Sequence, residues 1–160
     1  ACMKPAESSI PAASAARPEA MAETLRFHYD VDGDNFTSAG AASVEVKRKL
    51  RQLGFPAETI RKVSIAMYEG EINMVVHARG GTADVYVEPD SISIVLADQG
   101  PGIPDVELAM QEGYSTAPDN IRALGFGAGM GLPNMKRYTD EMKIETVVGK
   151  GTTVTMKVYV

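Results

Sequence analysis

Residues 125–132 read Gly125-Phe126-Gly127-Ala128-Gly129-Met130-Gly131-Leu132, and what flanks them decides the fold. Alternating glycines that run into a helix offer free N–H groups and the positive end of a helix dipole to an anion, usually phosphate. A dinucleotide-binding fingerprint also alternates glycines, but it follows a strand and opens a βαβ unit. Here a long Gly- and Pro-rich segment precedes the glycines. A helix is predicted over 131–140, then strands over 142–148 and 152–159 with Gly149-Lys150-Gly151 as their turn. That hairpin excludes a doubly wound parallel sheet, and no Walker A lysine pattern is present.

Toward the N-terminus, Leu25, Phe27, Tyr29 and Val31 alternate with polar residues, the period of a half-buried strand. Asp32-Gly33-Asp34-Asn35 breaks it. A first helix is expected over 38–53, stopped by Gly54, and a second from Pro56 to about Arg79, stopped by Gly80-Gly81. Strands follow at 82–88 and 91–98 around a Glu88-Pro89-Asp90 turn. Residues 100–131 hold one short helix, 104–112, and a loop of that length inside a domain usually serves as a functional lid. The order predicts an α+β two-layer sandwich, a mainly antiparallel mixed sheet covered on one face by helices.

The chain has 160 residues, 44% hydrophobic and 23% charged, which suits one globular domain. No apolar run approaches the ~20 residues of a membrane-spanning helix. Its net charge of −5 disfavours nucleic acid as a partner. One cysteine, Cys2, can form neither an internal disulfide nor a metal cluster, which fits a cytoplasmic protein. Residues 1–20 include thirteen Ala, Pro or Ser and are expected to be a disordered tail or linker, native or added for expression, leaving 21–160 as the domain.

Three further segments carry chemistry. Glu69, Asn73 and His77 recur every fourth residue, so they share one flank of the second helix. The core stripe lies elsewhere, at Ile60, Val63, Met67 and Met74, while Ala66 and Gly70 are small enough to leave room for a ligand. A solvated polar flank is the plainer alternative. Asp98-Gln99-Gly100-Pro101-Gly102 ends a hydrophobic strand; it suits either a carboxylate receiving a purine amine or an ordinary Asx turn. Gly149-Lys150-Gly151-Thr152-Thr153-Val154 is by itself a hairpin. The four segments in this order are much less ordinary than any one of them.

Together they resemble the N, G1, G2 and G3 boxes of the GHKL ATPase superfamily, which shares the Bergerat, or histidine-kinase-like ATPase, fold. The resemblance runs from about residue 24 to the C-terminus and is nearest to the small serine/threonine kinases that control sigma factors by partner switching. Glu112-Gly-Tyr-Ser-Thr116 and Gly129-Met-Gly-Leu-Pro-Asn-Met-Lys-Arg-Tyr-Thr-Asp-Glu141 look closest to the stressosome switch-kinase branch. It implies ATP and Mg²⁺ as cofactors, with Asn73 as metal ligand and Glu69 as catalytic base or water-orienting carboxylate. Asp98 would bind adenine, Gly100 and Gly102 would permit close approach, and Thr152 would help through a water. Gly127, Gly129, Met130, Gly131 and Leu132 would cradle the phosphates. His77 matches the family position but suits packing equally. Arg122, Lys136 or Arg137 could neutralise phosphate or simply be solvated. The implied partner is a STAS-domain antagonist or scaffold, with a sigma factor, a phosphatase or a second copy as further partners, and neither nucleic acid nor membrane. Sequestration of a sigma subunit, or nucleotide binding without transfer, are the alternatives.

Overall fold

The computed structural model describes residues 24–115, 117 and 130–160. The tail at 1–20, Arg122, Gly127, Gly129 and the part of the expected lid at 116 and 118–129 lie outside the described residues. Strand β1 is Leu25–Asp32, followed by a 3₁₀ turn at Phe36–Ser38, helix α1 at Ala41–Gln52 and helix α2 at Ala57–Ala78. Strands β2 (Gly80–Val87) and β3 (Ser91–Ala97), the short helix α3 (Val106–Ala109), helix α4 (Gly131–Arg137), and strands β4 (Glu141–Val147) and β5 (Gly151–Tyr159) complete it.

The five strands form one sheet in the order β1-β2-β3-β5-β4, with β1 and β4 at the edges. Every described pairing is antiparallel, so the sheet contains no parallel pair among the described residues, where the sequence reading allowed a mixed one. The alternation expected of half-buried strands holds. Ala83, Val85 and Val87 of β2, Ile92, Ile94 and Leu96 of β3, and Val154, Met156 and Val158 of β5 point into the core. From the helices come Val46, Leu50, Ile60, Val63, Met67, Met74 and Met135. The predicted stripe of α2 is therefore the one that packs on the sheet. No described helix is long and apolar enough to cross a membrane.

Several boundaries move, each for a local reason. The first helix begins at Ala41 because Gly40, in the left-handed region at φ 92°, is its N-cap and cannot cap it with a side chain. Helix α2 ends on Arg79, itself left-handed at φ 59°, and not on the glycines. Gly80 and Gly81 instead open β2 where strands crowd. A Cβ on Gly80 would lie 2.2 Å from the Val31 carbonyl oxygen, and one on Gly81 2.3 Å from that of Ala97. The helix expected over 104–112 shrinks to one turn, capped by Asp105, whose carboxylate accepts from the Leu108 amide at 3.0 Å.

Candidate functional site

Helix α2 packs across β1, β2, β3 and β5, and a cavity of about 540 Å³ opens where it faces the end of β3, β5 and the start of α4. This is within the roughly 300–1,000 Å³ usual for small-molecule sites. Asn73 and His77 reach it from α2, and Asp98 from the end of β3. Gly102 lies in the following loop, Gly131 and Leu132 at the start of α4, and Thr152 in β5. Three of the four sequence segments thus meet at one cavity, and the described end of the glycine run makes the fourth.

Asp98 is held rigidly. Its Oδ1 accepts from the Gly100 amide at 2.9 Å and the Thr152 amide at 3.1 Å, and its own N–H donates to the Thr152 carbonyl at 2.9 Å. Thr152 is buried, and its hydroxyl lies 2.9 Å from that of Thr146. Leu96, Met74, Ile103, Leu132 and Val154 give the cavity apolar walls. A fixed carboxylate at the base of an apolar slot suits the exocyclic amine of a flat heteroaromatic ring.

Asn73 faces the start of α4. A Cβ on Gly131 would fall 2.8 Å from Asn73 Oδ1, so only glycine lets the helix start this close to the carboxamide. The Asn73 amide nitrogen contacts Met135 Sδ at 3.8 Å, leaving Oδ1 as a neutral oxygen donor. No cluster of three His, Cys, Asp or Glu side chains exists among the described residues. That donor set fits Mg²⁺, which commonly takes one or two protein oxygens and completes its octahedron with phosphate and water. Glu69 stands one turn before Asn73, outside the cavity lining, and its Oε1 accepts from Asn134 Nδ2 of α4 at 3.2 Å. His77 borders the cavity with its ring exposed on one side. Protein packed on the other side desolvates it and holds its pKa below the ordinary value.

The room expected for a ligand at Gly70 and Ala66 is mostly a matter of packing. Gly70 borders the cavity, but its missing side chain also serves the core: a Cβ there would lie 2.0 Å from Leu96 Cδ1 and 3.2 Å from Met135 Cε, so close packing of α2 on β3 already requires the glycine. Ala66 is likewise fully buried. Gly100 packs on Ala78, whose Cα would be 2.7 Å from an added Cβ. Met130 is the N-cap of α4, next to Gly131 on the cavity wall. Arg137 pairs with Glu112 at 2.8 Å, which ties α4 to the loop after α3.

The sequence reading missed Thr146 and Glu71. Thr146 Oγ1 accepts from the Ile103 amide at 2.8 Å, and the Gly149 amide donates to the Pro101 carbonyl at 2.8 Å. Gly102 completes this staple at φ 77°, where a Cβ would strike the Val147 carbonyl oxygen at 2.6 Å. The loop after β3 is therefore fastened to the β4–β5 hairpin. Glu71, only 1% exposed, accepts from the amides of Gly40 at 3.0 Å and Ala42 at 3.3 Å, and from that of Ser43. It supplies the cap that Gly40 cannot. Burial raises its pKa, against the pull of those three donors. Its phase was the available signal, because position 71 lies four after Met67 and three before Met74, on the core stripe.

This architecture has known counterparts. The family model described as a histidine kinase-like ATPase domain matches residues 34–158. The chain belongs to that family. The ATPase domain is 32% identical over 108 residues to the serine/threonine-protein kinase RsbT of Bacillus subtilis, covering 65% of this chain and 75% of that one. It is 34% identical over 114 residues to the anti-sigma F factor of Caldanaerobacter subterraneus, covering 68% and 76%. A solved structure of the RsbU and RsbW domains of a Mycobacterium tuberculosis protein superposes with a TM-score of 0.58 at 18% identity, which establishes the shared fold. That match covers 84% of this chain but only 32% of the longer one.

Proposed function

We propose that this histidine kinase-like ATPase domain is an ATP-dependent protein serine/threonine kinase, cytoplasmic, that phosphorylates a STAS-domain antagonist or scaffold in a partner-switching circuit. The observation that carries it is the meeting of Asp98 and Asn73 in one apolar-walled cavity, with Glu69 tied to α4 beside it. Asp98 would accept the adenine amine, and the stapled loop at 100–103 would cover the ring. Asn73 Oδ1 and the close backbone at Gly131 would hold the metal–phosphate end. Bound Mg²⁺ would neutralise charge on the phosphates and align them. Glu69 would orient the acceptor hydroxyl and take its proton as the oxygen bonds to the γ-phosphorus and the bond to the leaving ADP oxygen breaks.

The test is incubation with labelled ATP, Mg²⁺ and candidate STAS-domain proteins, followed by phosphosite mapping. Label on a serine or threonine of one such protein is expected. The similarity to anti-sigma F factors favours a second reading, in which the domain chiefly sequesters a sigma subunit. Nucleotide-dependent capture of a sigma subunit without transfer to any STAS protein would select it.

A further inference from the structure

Resting on the kinase reading, we infer that Asn134 is a positioning residue, whose side-chain amide holds the Glu69 carboxylate in the orientation from which it meets the acceptor hydroxyl. Asn134 Nδ2 donates to Glu69 Oε1 at 3.2 Å from α4 to α2, across 65 residues of chain. Among the described residues nothing donates to Glu69 Oε2, so one oxygen is held and the other is open to a partner. Both side chains are half-buried, so an incoming hydroxyl is not sealed off from them. An asparagine amide suits the task chemically. It is a donor at every pH and carries no charge, so it fixes a carboxylate without adding a cation that would compete for it. A loose glutamate must order its rotatable bonds when transfer occurs, and a held one need not.

The backbone beneath Asn134 is fixed, which lets one hydrogen bond set a direction. Residues 131, 134 and 135 share a face of α4, and residues 69 and 73 share the flank of α2 that meets it. Gly131 lets α4 start against Asn73, and Met135, 1% exposed, brings its Sδ to 3.8 Å from the Asn73 amide. The Asn134 N–H donates to the Met130 carbonyl at 2.9 Å, and the Asn134 carbonyl accepts from the Tyr138 amide at 3.0 Å. Pro133 lies in the first turn, where its missing N–H costs no helical bond. Arg137, one turn from Asn134, is paired with Glu112, and no described cation pairs with Glu69. Asn134 is therefore the one described side chain that holds the carboxylate. A single face of α4 governs both proposed roles on α2, the metal ligand through Gly131 and Met135 and the base through Asn134.

Two measurements on the full chain test this. Without nucleotide, the Asn134 side-chain N–H that faces Glu69 should move upfield in heteronuclear NMR spectra of E69A, because its carboxylate acceptor is gone. No movement overturns the positioning assignment and leaves the kinase reading intact. With Mg-ATP and the STAS-domain protein it phosphorylates, N134A should slow single-turnover transfer by about 10- to 100-fold, the worth of a hydrogen bond to a charged group. The Mg-ATP dissociation constant and the KM for the protein substrate should stay at their wild-type values, and N134Q, which keeps the carboxamide, should recover part of the rate. The deciding comparison uses E69Q, where no carboxylate remains to be positioned: adding N134A there should slow transfer little further. An equal fold-loss in both backgrounds marks a merely structural contact and overturns the assignment, as does an N134A rate equal to wild type. Circular dichroism and melting temperature report folding. N134L, similar in shape and without a donor, serves if N134A misfolds, and misfolding of both overturns the assignment in favour of packing. Failure of the wild-type chain to label any STAS protein instead overturns the kinase reading, while the spectra still decide whether Asn134 holds Glu69.

Discussion

At Gly70 a single missing methyl decides how near α2 can lie to β3. Placing a Cβ 2.0 Å from Leu96 Cδ1 leaves no room, so Gly70→Ala should destabilise the fold by about 1–3 kcal/mol, as overpacked cores do. Urea denaturation checks this; an unchanged or raised midpoint would return Gly70 to a ligand-spacing role. Asn73 and Glu69 share a helix flank but should fail differently. Asn73→Ala should weaken Mg-nucleotide binding and transfer together. Glu69→Gln should leave binding nearly intact and slow transfer by something like 10²- to 10⁴-fold, the usual worth of a general base. Titration calorimetry and single-turnover transfer separate the two. Asp98→Asn should weaken ATP, because an amide can present N–H where an acceptor is needed, with affinity measured by the same titration. Glu69 and Asn73 were legible in the sequence because a spacing of four puts them on one helix flank, and Asp98 because it ends a hydrophobic strand before two glycines. Gly70 was legible only as an oddity, since what fills its place comes from Leu96, 26 residues away.

Between α1 and α2 the deciding contact is one carboxylate. Glu71→Ala would strip the amides of Gly40, Ala42 and Ser43 of their acceptor and leave a void. Unpaired buried donors cost about 1–3 kcal/mol each before relaxation, so a net loss of about 3 kcal/mol is expected. Thermal unfolding checks it, and loss of helical signal confined to α1 would locate the damage. Periodicity predicted the existence and type of α1, α2 and all five strands. It misplaced their ends, because those are set by neighbours. Glu71 starts α1 from another helix, and crowding by Val31 and Ala97 draws Gly80 and Gly81 into β2. A carboxylate in core phase was the visible warning, but no local rule says which amides it will meet.

Across the whole molecule, the chain's two histidines give acid and base opposite effects. His28 of β1 shares a 2.8 Å hydrogen bond with Asp84, which raises its pKa above the ordinary 6.5. Its contribution to stability is fully present below pH 6.5 and is lost as pH rises through the folded value. His77 is shifted the other way by desolvation, so its contribution is present above pH 6.5 and is lost as pH falls through its depressed folded value. Both rings are partly open to water, and the effects should be small. Melting temperature against pH should lose part of its alkaline decline in His28→Asn and part of its acid decline in His77→Asn. Exchange of those two outcomes would mean the environments are misassigned.

The staple between the loop after β3 and the β4–β5 hairpin has a pharmacological consequence. Thr146, Gly149 and Gly102 fix the backbone of residues 101–103 to the sheet, as Asp98 fixes its own carboxylate to Thr152. A flat heteroaromatic fragment with no phosphate would find that half of its receptor already in shape. Ligands that need no receptor ordering keep more of their contact energy as affinity. Screening with aminopurine-like fragments should therefore yield hits anchored on Asp98, and the amides of Ile103 and Gly149 should exchange as slowly as strand amides with or without them.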